Sequence, residues 1–114
     1  MWYIINMITT FDAVADPTRR QILDLLRVRP HTVNELVELL EISQPGVSKQ
    51  LKVLREVGLV QVRQEAQKHW YELRPEPLAE VFNWVVNYRS LIEERYERLD
   101  ELLKTMQEEE QNND

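Results

Sequence analysis

Two helix starts separated by a connection too short to hold anything but a turn constrain this chain most. Thr32 stands three residues ahead of Glu35, the capping-box spacing in which each side chain serves the other residue's backbone amide. Leu36, Val37, Leu39 and Leu40 then supply the apolar side of a short helix ending near Glu41. Ser43 is a cap for the next helix, where Val47, Leu51 and Leu54 recur at i, i+4, i+7 and so share one face. Only Glu41-Ile42 is left to join the two, and helices so joined form a helix-turn-helix.

The flanks extend the pattern. Asp16-Pro17 starts an earlier helix, because Asp accepts from free first-turn amides and Pro at the first position forfeits no bond; Ile22, Leu23, Leu25 and Leu26 give it a buried side. Gly58 is the expected stop of the Ser43 helix, turning left-handed so that Leu59 folds back on the helix end. Val60 and Val62 then alternate with Gln61 and Arg63. After a polar tip, Tyr71 and Leu73 share a face opposite Trp70 and Glu72, the period of a two-stranded hairpin. Beyond Pro75 and Pro77 an apolar stripe at threes and fours predicts one helix to about Gln107, more than so small a core can cover. The expected organisation is therefore an N-terminal dimerisation helix over 1–15, a winged helix-turn-helix core over 16–74, a C-terminal dimerisation helix over 75–107 and a frayed acidic tail over 108–114. The fold class is mainly α with a small β-hairpin.

Charge is divided along the chain. The net charge is −6, yet from Ser43 to Arg74 six bases face three acids, whereas from Pro75 onward four bases face eleven acids. The stretch from Ser43 through the hairpin is thus basic, as a partner of double-stranded DNA must be, and the acidity belongs to the last segment. The 114 residues include no cysteine, which removes disulfides, thiolate metal ligands and a cysteine nucleophile. Apolar runs are too short to span a membrane, and the apolar start lacks a signal peptide's basic flank and cleavage site, so a cytoplasmic location is expected. Met7 is a second candidate initiator. Catalysis has no visible apparatus: His31 and His69 stand in separate elements and no Gly-rich phosphate loop exists.

Ala15-Asp16-Pro17-Thr18-Arg19-Arg20 with Ile22-Leu23, Ser43-Gln44-Pro45 with Val47-Ser48 and Leu51, Leu54-Arg55, Gly58-Leu59-Val60, and Tyr71-x-Leu73 with Pro75 resemble, in this order and spacing, the ArsR/SmtB repressors. The resemblance covers roughly Phe11 to Pro75. The last helix, with Trp84, Tyr88-Arg89 and Arg98-Leu99-Asp100, looks like a cysteine-free, often autoregulatory subgroup. The resemblance implies a homodimeric transcriptional repressor whose first and last helices pack against a second copy. Its recognition helices would enter successive major grooves of an inverted-repeat operator. Metal-sensing members often carry Cys-x-Cys where Thr32 and Asn34 stand here, or His on the last helix, which has none. The expectation is no metal and no cofactor.

Candidate DNA-contacting residues follow from the face opposite Val47, Leu51 and Leu54. Gln44 suits adenine, Ser48 a base edge or phosphate, and Lys49 the O6 and N7 of guanine; Lys52 is placed for a phosphate, and Pro45 and Gly46 complete the first turn. Gly46 has two readings, close approach to the duplex or relaxation of the turn at Pro45. Arg63, Gln67 and Lys68 belong to the wing. His69 is expected inside with Tyr71 and Leu73, and His31 in a surface loop. Trp2, Ile5, Ile8, Phe82, Val85, Tyr88, Ile92, Leu99 and Leu102 are the expected dimer interface, with Trp84 and Tyr88 also able to line a small-molecule inducer pocket. Two alternatives remain at this level: a winged helix serving as a protein-interaction module, and architectural DNA binding without sequence preference.

Overall fold

The computed structural model describes residues 8–112, which fall into two compact units meeting between Val81 and Phe82. Trp2 and Ile5 lie outside the described residues, as does the end of the chain after Asn112.

The first four described helices each begin where a side chain can satisfy a first-turn amide. Helix α1 (Thr10–Ala15) is capped by Thr9, whose hydroxyl accepts from the Asp12 amide at 3.2 Å while the Asp12 carboxylate accepts from the Thr9 amide at 3.0 Å. Helix α2 (Pro17–Val28) starts on Asp16, which accepts from the Arg19 amide at 3.0 Å. Helix α3 (Val33–Leu40) has the Thr32/Glu35 capping box, and α4 (Gln44–Glu56) has Ser43 bound to the Gly46 amide at 3.1 Å. The starts of α2, α3 and α4 stand where the capping pattern put them.

The end of α4 shows why a glycine follows it. Gly58 has φ of 79°, its amide donates to the Arg55 carbonyl at 3.0 Å, and the Leu59 amide reaches back to Leu54 at 3.0 Å. This is the Schellman arrangement, closed by contact between Leu59 and Leu54, both fully buried. The chain then runs into β1 (Val60–Glu65), which pairs antiparallel with β2 (Lys68–Leu73), Val62 opposite Tyr71 and Arg63 opposite Trp70. Ala66 and Gln67 form the two-residue tip, with φ of 55° at Ala66.

The core lies where α2, α3, α4 and the base of the hairpin converge. Ile22, Leu26, Leu36, Val47, Leu51, Leu54, Leu59 and Val60 are buried there with Ala13. Both histidines differ from expectation. The register does put His69 on the face of Tyr71 and Leu73, but it sits near the wing tip, beyond the reach of the core, and is exposed. His31 is buried, at 4% exposure. Its backbone exchanges two hydrogen bonds with Tyr71, at 3.1 and 2.8 Å, so the loop before α3 adds one bridge to the wing's second strand. Its Nδ1 lies 2.8 Å from the Arg29 carbonyl, so Nδ1 carries the proton and donates.

The helix expected over 75–107 is interrupted. Helix α5 (Leu78–Val86) ends in a turn at Asn87-Tyr88, whose amides bond back three residues, to Trp84 at 3.2 Å and Val85 at 2.9 Å. Helix α6 (Arg89–Asn112) follows and continues past Gln107 through Glu108–Glu110, the segment expected to fray. Among the described residues of the second unit none is buried: Phe82, Trp84, Val85, Tyr88, Ile92, Leu99 and Leu102 are each at least 40% exposed. Ile8, in the first unit, is 40% exposed.

Candidate nucleic-acid interface

Helix α4 is oriented by its apolar side. Val47, Leu51 and Leu54 are buried, and this leaves Gln44, Pro45, Ser48, Lys49 and Lys52 exposed on the opposite side. Two further restraints fix the helix. Glu41 ends α3 in the left-handed region, φ 56° and ψ 40°, which reverses the chain within the short turn. Gln50 accepts a hydrogen bond from Arg19 Nη1 at 2.9 Å.

Arg19 is a residue whose role sequence reasoning missed. Besides Gln50 it donates from Nε to the Ala13 carbonyl at 2.7 Å and from Nη2 to the Asp12 carbonyl at 2.9 Å. Arg20 Nη1 donates to the carbonyls of Val14 and Ala15, at 2.9 and 3.1 Å. The two arginines therefore satisfy the last carbonyls of α1, and Arg19 links that end to the recognition helix. The signal was present: two arginines directly after an Asp-Pro start have a preceding helix end within reach.

Gly46 has a structural cause beyond the two considered for it. A Cβ there would lie 2.8 Å from Ile42 Cγ2 and 3.0 Å from Ser43 Oγ. Ile42 packs against the core and Ser43 must hold its cap, so the helix-turn-helix turn itself leaves no room for a side chain. The space is used by the protein before any duplex arrives.

The wing separates its cations into two kinds. Arg63 lies on the outer face and is held by Glu72 and Glu65; hydrogen bonding to Glu72 first, then to Glu65, raises its pKa above the ordinary guanidinium value. Glu72 also accepts from Gln61 at 3.1 Å, and these partners hold its carboxyl below the usual range. Arg63 thus meets any phosphate already paired with two carboxylates. Lys68 has no carboxylate partner among the described residues and instead rests 6.0 Å from the Trp70 ring centroid, where the indole face favours a cation. Gln67 is exposed at the tip.

Between wing and recognition helix runs an open groove of about 630 Å³, lined by Gln44 on one side, Gln67, Lys68, His69 and Trp70 on the other, and Asn34 and Glu35 at the start of α3. Glu35 is occupied in its own cap. Its carboxyl is held at a pKa of about 2, first by the hydrogen bond from Arg29 at 2.8 Å and then by the Thr32 amide at 3.0 Å. The Thr32 hydroxyl accepts from the Glu35 amide at 3.2 Å. Among the described residues no His, Asp and Glu come together in a group able to hold a metal ion.

The profile of the bacterial regulatory proteins of the arsR family matches residues 16–62, from the cap of α2 to the middle of the first strand of the wing. The transcriptional repressor SdpR of Bacillus subtilis is 34% identical over 72% of this chain and 91% of its own length. The chain belongs to the ArsR family. Two solved structures agree: an ArsR family transcriptional regulator, 30% identical with a TM-score of 0.63, covers 73% of this chain and 86% of its own. A possible transcriptional regulator for arsenical resistance, 32% identical with a TM-score of 0.65, covers 72% and 85%. As an ArsR-family member this protein is a DNA-binding transcriptional regulator with a winged helix-turn-helix, not an enzyme. It is a cysteine-free one. No helix among the described residues is long and apolar enough to cross a membrane.

Proposed function

We propose that the protein is a homodimeric repressor that reads an imperfect inverted-repeat operator, with the two recognition helices in major grooves about one helical turn apart. The observation that carries this reading is the exposed face of α4, where Gln44, Ser48, Lys49 and Lys52 stand free of intramolecular partners among the described residues. Gln44 and Ser48 are short polar groups suited to base edges, and Lys49 and Lys52 add charge at the same face. Lys68 on the wing contributes a third cation, and Gln67 and the backbone at Pro45 and Gly46 complete the contact surface. A second copy is needed to cover the apolar residues left exposed in the second unit, Phe82, Val85, Tyr88, Ile92, Leu99 and Leu102, with Ile8, Trp2 and Ile5 as the N-terminal contribution.

Footprinting on DNA upstream of the protein's own gene tests the operator. Lys52→Ala is expected to weaken cognate and random DNA alike, whereas Gln44→Ala or Ser48→Ala costs about 1–3 kcal/mol mainly on the cognate site. If no inverted repeat is protected and all three variants weaken both DNAs in the same proportion, binding is architectural. Zinc, nickel, copper or arsenite at stoichiometric concentration is expected to leave the complex intact, and metal-dependent release would refute that part of the reading.

A further inference from the structure

Short side chains on a helix can meet base edges only if the helix is held against rotation about its own axis. A group about 6 Å from that axis moves about 1 Å when the helix turns by about 10°, and a hydrogen bond lengthened by about 1 Å is lost. Val47, Leu51 and Leu54 hold α4 to the core, but burial is non-directional, whereas a bond from a fixed donor sets a direction. Among the described residues one side-chain hydrogen bond joins α4 to another element, from Arg19 Nη1 to Gln50 Oε1 at 2.9 Å. Gln50 is half-buried. At 3.6 residues per turn it flanks the line of Val47 and Leu54 and stands more than about 100° from Gln44, Ser48 and Lys52.

The donor is itself immobilised. The Arg19 backbone amide donates to the Asp16 carboxylate at 3.0 Å, Nε to the Ala13 carbonyl at 2.7 Å and Nη2 to the Asp12 carbonyl at 2.9 Å. With the plane of the guanidinium fixed by two backbone carbonyls, the direction of Nη1 is fixed too, and Gln50 stands in it. A guanidinium only donates, so Gln50 must present its carbonyl oxygen.

We infer that Arg19 is a positioning residue for operator reading: by tying Gln50 to the C-terminal end of α1 it sets the rotation of α4, and with it the aim of Gln44 and Ser48. The loss of this clamp has a characteristic signature. Lys52 carries its charge on a long flexible stem that absorbs a shift of about 1 Å, and Lys68 belongs to the wing, so both keep their phosphates. Gln44 and Ser48 have no such slack at a base edge. Without the clamp, binding to cognate DNA weakens while binding to random DNA is retained. An Arg19 that acted as a phosphate contact would do otherwise: lysine would serve in its place, because the charge is kept and only the fork is lost.

This inference rests on the site-specific reading proposed above. The dissociation constants of the full-length protein for its footprinted operator fragment and for a random duplex of equal length are measured by fluorescence anisotropy, and their ratio is the readout. Partial unfolding weakens both by the same factor and leaves the ratio unchanged, so lost stability alone cannot produce the effect. Gln50→Ala leaves both carbonyl bonds of Arg19 in place. Gln50→Ala and Arg19→Lys are each expected to lower the ratio about tenfold, as the loss of one charge-assisted hydrogen bond would. Combining them is expected to lower it no further than the worse of the two, to within about twofold. Gln50→Glu, which still accepts from Nη1, should hold the ratio near that of the unaltered protein. An unchanged ratio in Gln50→Ala or in Arg19→Lys overturns the inference. So does a combined loss equal to the product of the single losses, which would make Gln50 a direct reader of DNA, or a Gln50→Glu ratio as low as that of Gln50→Ala. If the unaltered protein protects no operator, the site-specific reading falls and the inference falls with it.

Discussion

Replacing Gly46 with alanine runs against the usual rule for glycine within a helix, and the geometry of the turn sets the size of the effect. In an open helix position the change stabilises by about 1 kcal/mol, because alanine loses less backbone entropy. Here the new methyl would stand 2.8 Å from Ile42 Cγ2 and 3.0 Å from Ser43 Oγ. Relieving the first contact moves a residue packed on the core, and overpacking of that kind costs about 1–3 kcal/mol. Relieving the second displaces the hydroxyl that caps α4, and an N-cap is worth about 1 kcal/mol. After subtracting the propensity gain, Gly46→Ala is expected to destabilise by roughly 1–3 kcal/mol. Urea denaturation at one fixed protein concentration measures this directly. Ile42→Ala removes the nearer of the two contacts, so in that background Gly46→Ala should recover about 1 kcal/mol or more, read as the coupling in a double-mutant cycle. A midpoint that rises on Gly46→Ala in the unaltered background would refute the packing account. If DNA affinity fell while stability rose, close approach to the duplex would be the true reason for the glycine.

Three further outcomes are expected. With Arg63 held by Glu72 and Glu65, the cations open to phosphate on a dimer are Lys49, Lys52 and Lys68 of each chain, for a log–log salt slope near −5, and Glu72→Gln should steepen it by releasing Arg63; an unchanged slope would show that the pair does not withhold Arg63. Glu35 has its pKa lowered to about 2 in the folded state, so its contribution is full above its ordinary value of 4.5 and disappears as the pH falls through 2. Glu35→Gln should therefore flatten the acid limb of stability over that window in a pH series of urea midpoints, and an identical limb would refute the assignment. His31→Ala should cost about 2 kcal/mol by denaturation, since it empties a buried site and strands the Arg29 carbonyl; a loss within a few tenths of a kcal/mol would return His31 to the surface loop first expected for it.

Local chemistry decided much of this protein before any tertiary contact. The caps at Asp16, Thr32 and Ser43 act within three residues of themselves, and Gly58 acts on the helix it ends, so each could be read from its own neighbourhood. The alternation through Val60 to Val62 and Tyr71 to Leu73 set the hairpin faces for the same reason. What the sequence could not give was every property that depends on distance from the core or on a partner far along the chain. His69 lies on the inward face yet is exposed because the core stops short of the wing tip, and His31 is buried where its backbone bridges to Tyr71. Arg63 was expected to be a free cation until the register brought it to Glu72. Arg19 acquires its function only when α1, α2 and α4 bring Asp12, Ala13 and Gln50 within reach of one guanidinium. Gly46 is explained by a side chain four residues earlier whose direction is fixed by the left-handed turn at Glu41. Periodicity and capping are short-range and survive in the bare sequence, whereas burial and ion pairing are set by where the folded chain returns to itself.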